Sequence, residues 1–207
     1  MKIKLTKQEK NWILYDVGNS AFTLLAATIL PIYFNYIAGK QGLSDVQYLA
    51  YWGYAVSIAT LLTALAGPVF GTVADTKGYK KPVFTIALGI GAIASVALGF
   101  AKYWLAFLVG FVIAKVGYSV TLVFYDSMLV DVTLEDRMDE VSSQGYAWGY
   151  IGSCVPFIVC LVLVLGSGKI GISMEMAMGA AFLIIAPILA LAWFVAVMAD
   201  FIQVGPL

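Results

Sequence analysis

Six stretches of mostly apolar residues, near 12–37, 47–73, 82–101, 103–126, 143–166 and 173–199, take up almost the whole of this chain. A helix needs about 20 such residues to cross the hydrocarbon of a bilayer, so the pattern predicts an all-α membrane protein of six transmembrane helices forming one bundle. The breaks are short and polar: GKQGLSD at 39–45, DTKGYKK at 75–81, a pinch at Lys102, DVTLEDRMDE at 131–140 and GSGKIG at 166–171. They leave no room for a large soluble domain. Of the 207 residues 62% are hydrophobic and 12% charged, with a mean hydropathy of +0.93, whereas soluble domains carry about 25% charged residues.

Lys and Arg fix the orientation of such a bundle. With the N-terminus inside, Lys2, Lys4, Lys7, Lys10, Lys77, Lys80, Lys81 and Arg137 lie on the cytoplasmic side, eight against Lys40, Lys102 and Lys169 outside. Both termini are therefore expected in the cytoplasm. The first apolar stretch is too long for a signal-peptide core and has no small-residue cleavage pattern, so it is expected to remain as the first span. Trp12, Trp52 and Trp104 fall near span ends, where amphipathic rings favour the interface.

Twelve Lys+Arg balance twelve Asp+Glu, and no basic stripe points to a nucleic-acid partner. There is no His, no GxSxG elbow and no metal-ligand cluster, so neither enzyme chemistry nor a metal or other cofactor is expected. Cys154 and Cys160 share one apolar stretch and read as two small buried thiols.

Small residues allow close helix packing in lipid. Span 3 carries Ala87, Gly89, Gly91, Ala92, Ala94, Ser95, Ala97 and Gly99, and span 5 carries Gly145, Gly149, Gly152 and Ser153 at near-helical spacing. Pro31, Pro68, Pro156 and Pro187 lie in or near spans 1, 2, 5 and 6 and are expected to bend them.

Polar residues inside a span are costly and mark candidate sites. In span 1, Asp16, Asn19, Ser20 and Thr23 fall at i, i+3, i+4 and i+7, one stripe that must face away from lipid. In span 4, Lys115, Tyr118, Ser119, Leu122 and Asp126 share a face. The two stripes are expected to line a central aqueous cavity. Lys115 then meets an anionic substrate group or a coupling carboxylate; alternatively it forms a buried pair with Asp16 or Asp126 that fixes helix register. Glu175 is expected at the outer interface, merely solvated. Tyr15-Asp16 and Tyr125-Asp126 repeat one dipeptide at the cytoplasmic ends of spans 1 and 4, which fits an inverted three-plus-three repeat, 1–101 and 102–207, within a single bundle 1–207.

The loop after span 2 reads GTVADTKGYKK. It resembles the GxxxDxxGxKK signature of the major facilitator superfamily, matched at Gly71, Asp75, Gly78, Lys80 and Lys81. NWILYDVGNSAF at 11–22, YDSMLVDVT at 125–133 and VSSQGYAWGYIGS at 141–153 narrow the resemblance to the vacuole-effluxer branch named after yeast autophagy-related protein 22, with its bacterial relatives. That resemblance implies twelve spans in two six-helix bundles, substrate held between them near the midplane, and alternating access by rocking. It implies transport of small solutes, amino acids among them, with Asp75, Gly78 and Lys80 in a cytoplasmic gate. Six spans then make one half of the fold, and the tail ADFIQVGPL lacks the basic loop expected before a seventh span, so a truncated permease in the bacterial plasma membrane is the expectation. Its partners are then the lipid bilayer, a small-molecule substrate and either a missing C-terminal six-helix half or a second copy of the chain. A half-transporter working as a homodimer is one rival reading. A scaffold without transport, in which the stripes only set helix contacts, is another.

Overall fold

The computed structural model describes residues 4–76 and 78–185, and the described residues form helices and turns with no strand. Helix α1 runs Lys7–Lys40, α2 Asp45–Asp75, α3 Lys80–Leu98, α4 Trp104–Ser127 and α5 Met138–Gly166. Together with the turn that leads into α5, these make five helices long and apolar enough to cross a membrane. A shorter apolar helix, α6, occupies Met174–Ile185. The rest of the expected sixth span, Pro187 included, lies outside the described residues.

Two helices begin earlier than the hydropathy stretches do because their first turns are capped. Thr6 accepts from the backbone N–H of Glu9 while Glu9 accepts from that of Thr6, and Ser44 and Gln47 repeat the arrangement at the start of α2. Each box satisfies two backbone donors that a helix N-terminus otherwise leaves free. Between α1 and α2, Gly42 takes a φ of 81°, and between α2 and α3 Gly78 takes 85°, left-handed values that side chains with a Cβ resist.

Proline acts differently at Pro31, Pro68 and Pro156. Pro31 follows a π-helical turn at Leu25–Ile29 within α1. Its ring crowds the preceding turn and it offers no N–H, and one inserted residue relieves both conflicts. Pro68 and Pro156 sit inside α2 and α5 with the helix unbroken.

Helix α1 packs along α5, and α4 packs against both α2 and α3. At the α3–α4 seam a Cβ on Gly117 would lie 3.0 Å from both Cα and N of Gly91. Two apolar clusters fill the bundle. Near the N-terminal end Trp12, Tyr15, Phe84, Phe124, Tyr125 and Met128 pack together. Toward the other end Ile29, Leu30 and Phe34 of α1 meet Phe107 and Phe111 of α4, with Cys160 of α5 and Met178 of α6.

Apolar residues also face outward. Of the 31 residues of α2 only Ala55, Ala59 and Ala74 are buried, while Leu61, Leu65 and Val69 are 60% or more exposed. Such a surface is stable against acyl chains and not against water. Cys154 belongs to it: the thiol expected to be buried is exposed, and only Cys160 is enclosed. Trp12 departs the other way, being 3% exposed and stacked on Tyr125 at 4.3 Å rather than lying in an interfacial belt.

Candidate functional site

The polar stripe of α1 faces α4 and α5 across a cavity of about 350 Å³. Asp16, Asn19, Ser20 and Thr23 line it from α1, Tyr118, Leu122, Tyr125 and Asp126 from α4, and Ser142, Tyr146, Tyr150 and Ser153 from α5. At the inner end Thr23 Oγ1 and the Tyr118 hydroxyl are hydrogen-bonded at 2.5 Å. At the other end Trp12 donates from Nε1 to the Tyr125 carbonyl, and the Tyr125 hydroxyl donates back to the Trp12 carbonyl. The two helices are thus tied above and below the polar stretch.

The glycines of α5 decide how closely α1 approaches. A Cβ on Gly145 would lie 2.7 Å from Trp12 Cζ3, one on Gly149 would lie 2.7 Å from Asp16 Oδ2, and one on Gly152 would lie 2.5 Å from Val17 Cγ1. Each glycine receives a particular side chain of α1. Ser153, fully buried, donates to the carbonyl of Gly149, a bond that keeps its hydroxyl satisfied within its own helix.

Asp16 is only 8% exposed; Asn19, one turn on, lies within hydrogen-bonding reach of its carboxylate, and among the described residues Asp16 has no ion pair. Asp126, on the opposite wall, is exposed. No Lys or Arg lines the cavity.

Lys115 and Ser119, also on the α4 stripe, are not among the residues that line this cavity. The Lys115 ammonium lies over the Tyr118 ring, 5.3 Å from its centroid. It makes no ion pair with Asp16 or Asp126. Ser119, one residue past Tyr118, is turned about 100° round the helix from it.

The loop residues Gly71, Asp75, Gly78, Lys80 and Lys81 sit together at the end of the bundle that holds the N-terminus. Lys80 Nζ is 2.6 Å from Asp131 Oδ2 and donates also to the Ser127 carbonyl, tying the α2–α3 connection to the chain leaving α4. Gly71 is half-buried inside α2, Asp75 closes that helix and is exposed, and Lys81 is half-buried in the first turn of α3.

Beside them lies an ion pair that sequence reading missed. Glu9, 1% exposed, accepts from Arg137 Nη2 at 2.9 Å and from Thr133 Oγ1 at 2.7 Å. The Thr6-x-x-Glu9 spacing was the available signal for the capping role of Glu9, but its partner lies 128 residues away. The aromatic walls were missed too, although Ser142, Tyr146, Tyr150 and Ser153 follow a helical spacing. At the opposite end Glu175, expected to be free in solvent, pairs with Lys40 at 2.5 Å.

A bundle of long apolar helices around a polar cavity defines an integral membrane protein of the multi-span helical class. The chain belongs to the vacuole effluxer Atg22-like family, whose pattern matches residues 6–133. It is similar to the MFS-type transporter YxiO of Bacillus subtilis, with 40% identity over 168 residues, 80% of this chain and 39% of that protein. A protein of Aquifex aeolicus is 28% identical over 148 residues, 70% of this chain and 36% of its own. The multidrug resistance protein MdtG of Yersinia enterocolitica is 36% identical over 92 residues, 44% of this chain and 21% of MdtG. The matched region spans between 21% and 39% of the length of these relatives.

Proposed function

We propose that this chain forms the N-terminal bundle of a major-facilitator permease that moves small solutes, amino acids among them, across a bacterial plasma membrane by alternating access. The observation that carries this reading is the polar cavity between α1, α4 and α5, in a bundle whose other faces are apolar. A buried, unpaired carboxylate such as Asp16 is expensive in a membrane protein unless a pathway uses it. The relatives named as transporters support the same class of activity.

Two features favour an inverted three-plus-three organisation. Helix α1 packs on α5, and α4 packs on α2. Exchanging the first with the fourth helix and the second with the fifth turns one contact into the other. Trp12 and Tyr125, on the paired helices α1 and α4, exchange hydrogen bonds reciprocally. In this arrangement Lys80 and Asp131 belong to the cytoplasmic gate, and a second six-helix bundle, from a C-terminal half or from a second copy of the chain, completes the cavity.

Uptake of radiolabelled amino acids into proteoliposomes tests the reading, with the chain supplied alone and together with a six-helix C-terminal half. Saturable uptake that Asp16→Asn lowers at least about tenfold is expected, by loss of an interaction with a desolvated charge. Absence of saturable flux in both preparations contradicts it and favours a scaffold.

A further inference from the structure

The cavity has a chemical polarity that transport alone does not require. Two carboxylates line it, Asp16 and Asp126, and no cationic side chain does. Asp16 is more than nine-tenths buried, lines the cavity beside Asn19 of its own helix, and has no salt-bridge partner among the described residues. The room for its carboxylate is built in, since a Cβ on Gly149 would lie 2.7 Å from Asp16 Oδ2 and 2.8 Å from Ser20 Oγ. Five aromatic residues, Trp12, Tyr118, Tyr125, Tyr146 and Tyr150, share the walls. The one cation nearby, Lys115, lies over Tyr118 and outside the cavity. Ring faces attract cations, and more strongly where water is excluded. A carboxylate held inside such walls is left waiting for a positive group, while an anion would meet two like charges.

We propose that the cavity selects its solute by an ammonium group, so that small organic amines are bound through their cationic end to Asp16 against the aromatic walls, and anions are rejected. The proposal deepens the transport reading and rests on it only for what the binding is used for. Asp16 supplies the ion pair, Asp126 at the exposed rim draws the cation in, and Tyr146 and Tyr150 on successive turns of α5 cover the apolar part of the solute. Lys115, outside the cavity, takes no part in recognition.

Three solutes of nearly equal size separate charge from shape: phenethylamine, 2-phenylethanol and phenylacetate. Each is titrated by calorimetry into the whole chain held in nanodiscs of phosphatidylcholine, a lipid without net charge. Phenethylamine is expected to bind at least about tenfold more tightly than 2-phenylethanol, as an ion pair with added cation–π contact requires, and phenylacetate not measurably. Asp16→Asn is expected to erase the preference. Asp126→Asn, at an exposed position, leaves the fold intact and lowers amine affinity about threefold, the scale of a solvated charge. Equal binding of the alcohol or the acid, no measurable binding of the amine, or an unchanged preference in Asp16→Asn overturns the proposal; should Asp16→Asn fail to fold, the Asp126→Asn titration decides in the same way. Flux measurements separate the two readings. Saturable flux without amine preference sinks the selectivity and leaves transport standing, and amine-selective binding without flux does the reverse.

Discussion

At the α3–α4 seam two backbones meet, because Gly91 and Gly117 face each other with no side chain between them. At the α1–α5 seam Gly145, Gly149 and Gly152 receive the side chains of Trp12, Asp16 and Val17 instead. Both seams answer the need of membrane helices for close approach, but only the second leaves polar space beside it. The difference lies in the opposing helix. Gly117 faces a stretch of α3 made of small residues, so nothing stands in the gap. The α5 glycines face an α1 that alternates large and polar groups, so the saved volume is filled by the side chains of Trp12, Asp16 and Val17. Small-residue spacing alone thus identifies a seam and does not say whether it is dry.

The sharpest way to break this comparison is to add one methyl group to each seam. In Gly117→Ala the new Cβ meets the Cα and N of Gly91 and the carbonyl of Ala87, all backbone, so two helices must separate. A loss of about 2 kcal/mol is expected, the scale of overpacking, read from the unfolding midpoint in mixed micelles. Trp12→Phe keeps the stacking on Tyr125 and removes the Nε1 donor, at a cost of about 1 kcal/mol. Gly149→Ala presents the closer contact, 2.7 Å against 3.0 Å, yet meets side-chain atoms that can turn away. Its strain is offset by about 1 kcal/mol of helix propensity, so the midpoint barely moves while the displaced Asp16 loses its amine. If Gly149→Ala proves more destabilising than Gly117→Ala, the distinction between backbone and side-chain seams is wrong. Lys115→Met is the smallest, within about 0.5 kcal/mol, because no ion pair is broken; a loss of about 3–5 kcal/mol would reveal a buried pair.

Much of this was legible in the sequence for physical reasons. The α1 stripe declared itself because Asp16, Asn19, Ser20 and Thr23 repeat with the helix period in a segment where lipid would otherwise face them. The α5 glycines stood out for the same reason. Periodicity gave the α4 face of Lys115 but not where its ammonium rests, because a long side chain is free to lie over a neighbouring ring, here Tyr118. The Glu9–Arg137 and Lys80–Asp131 pairs were invisible, since they join connections 128 and 51 residues apart whose meeting depends on how whole helices dock. Trp12 read as an interfacial anchor because position along a span does not reveal which neighbour covers a ring.

The central claim is that water reaches the α1 stripe from inside the bundle while the outer face of α2 meets only lipid. Single cysteines at Ser20, Thr23 and Leu65, placed in a chain with Cys154 and Cys160 replaced by alanine and held in lipid vesicles, measure this through reaction with a water-soluble methanethiosulfonate. The account predicts ready labelling at positions 20 and 23 and almost none at 65. Equal rates at all three positions, or an inert position 20, would contradict it.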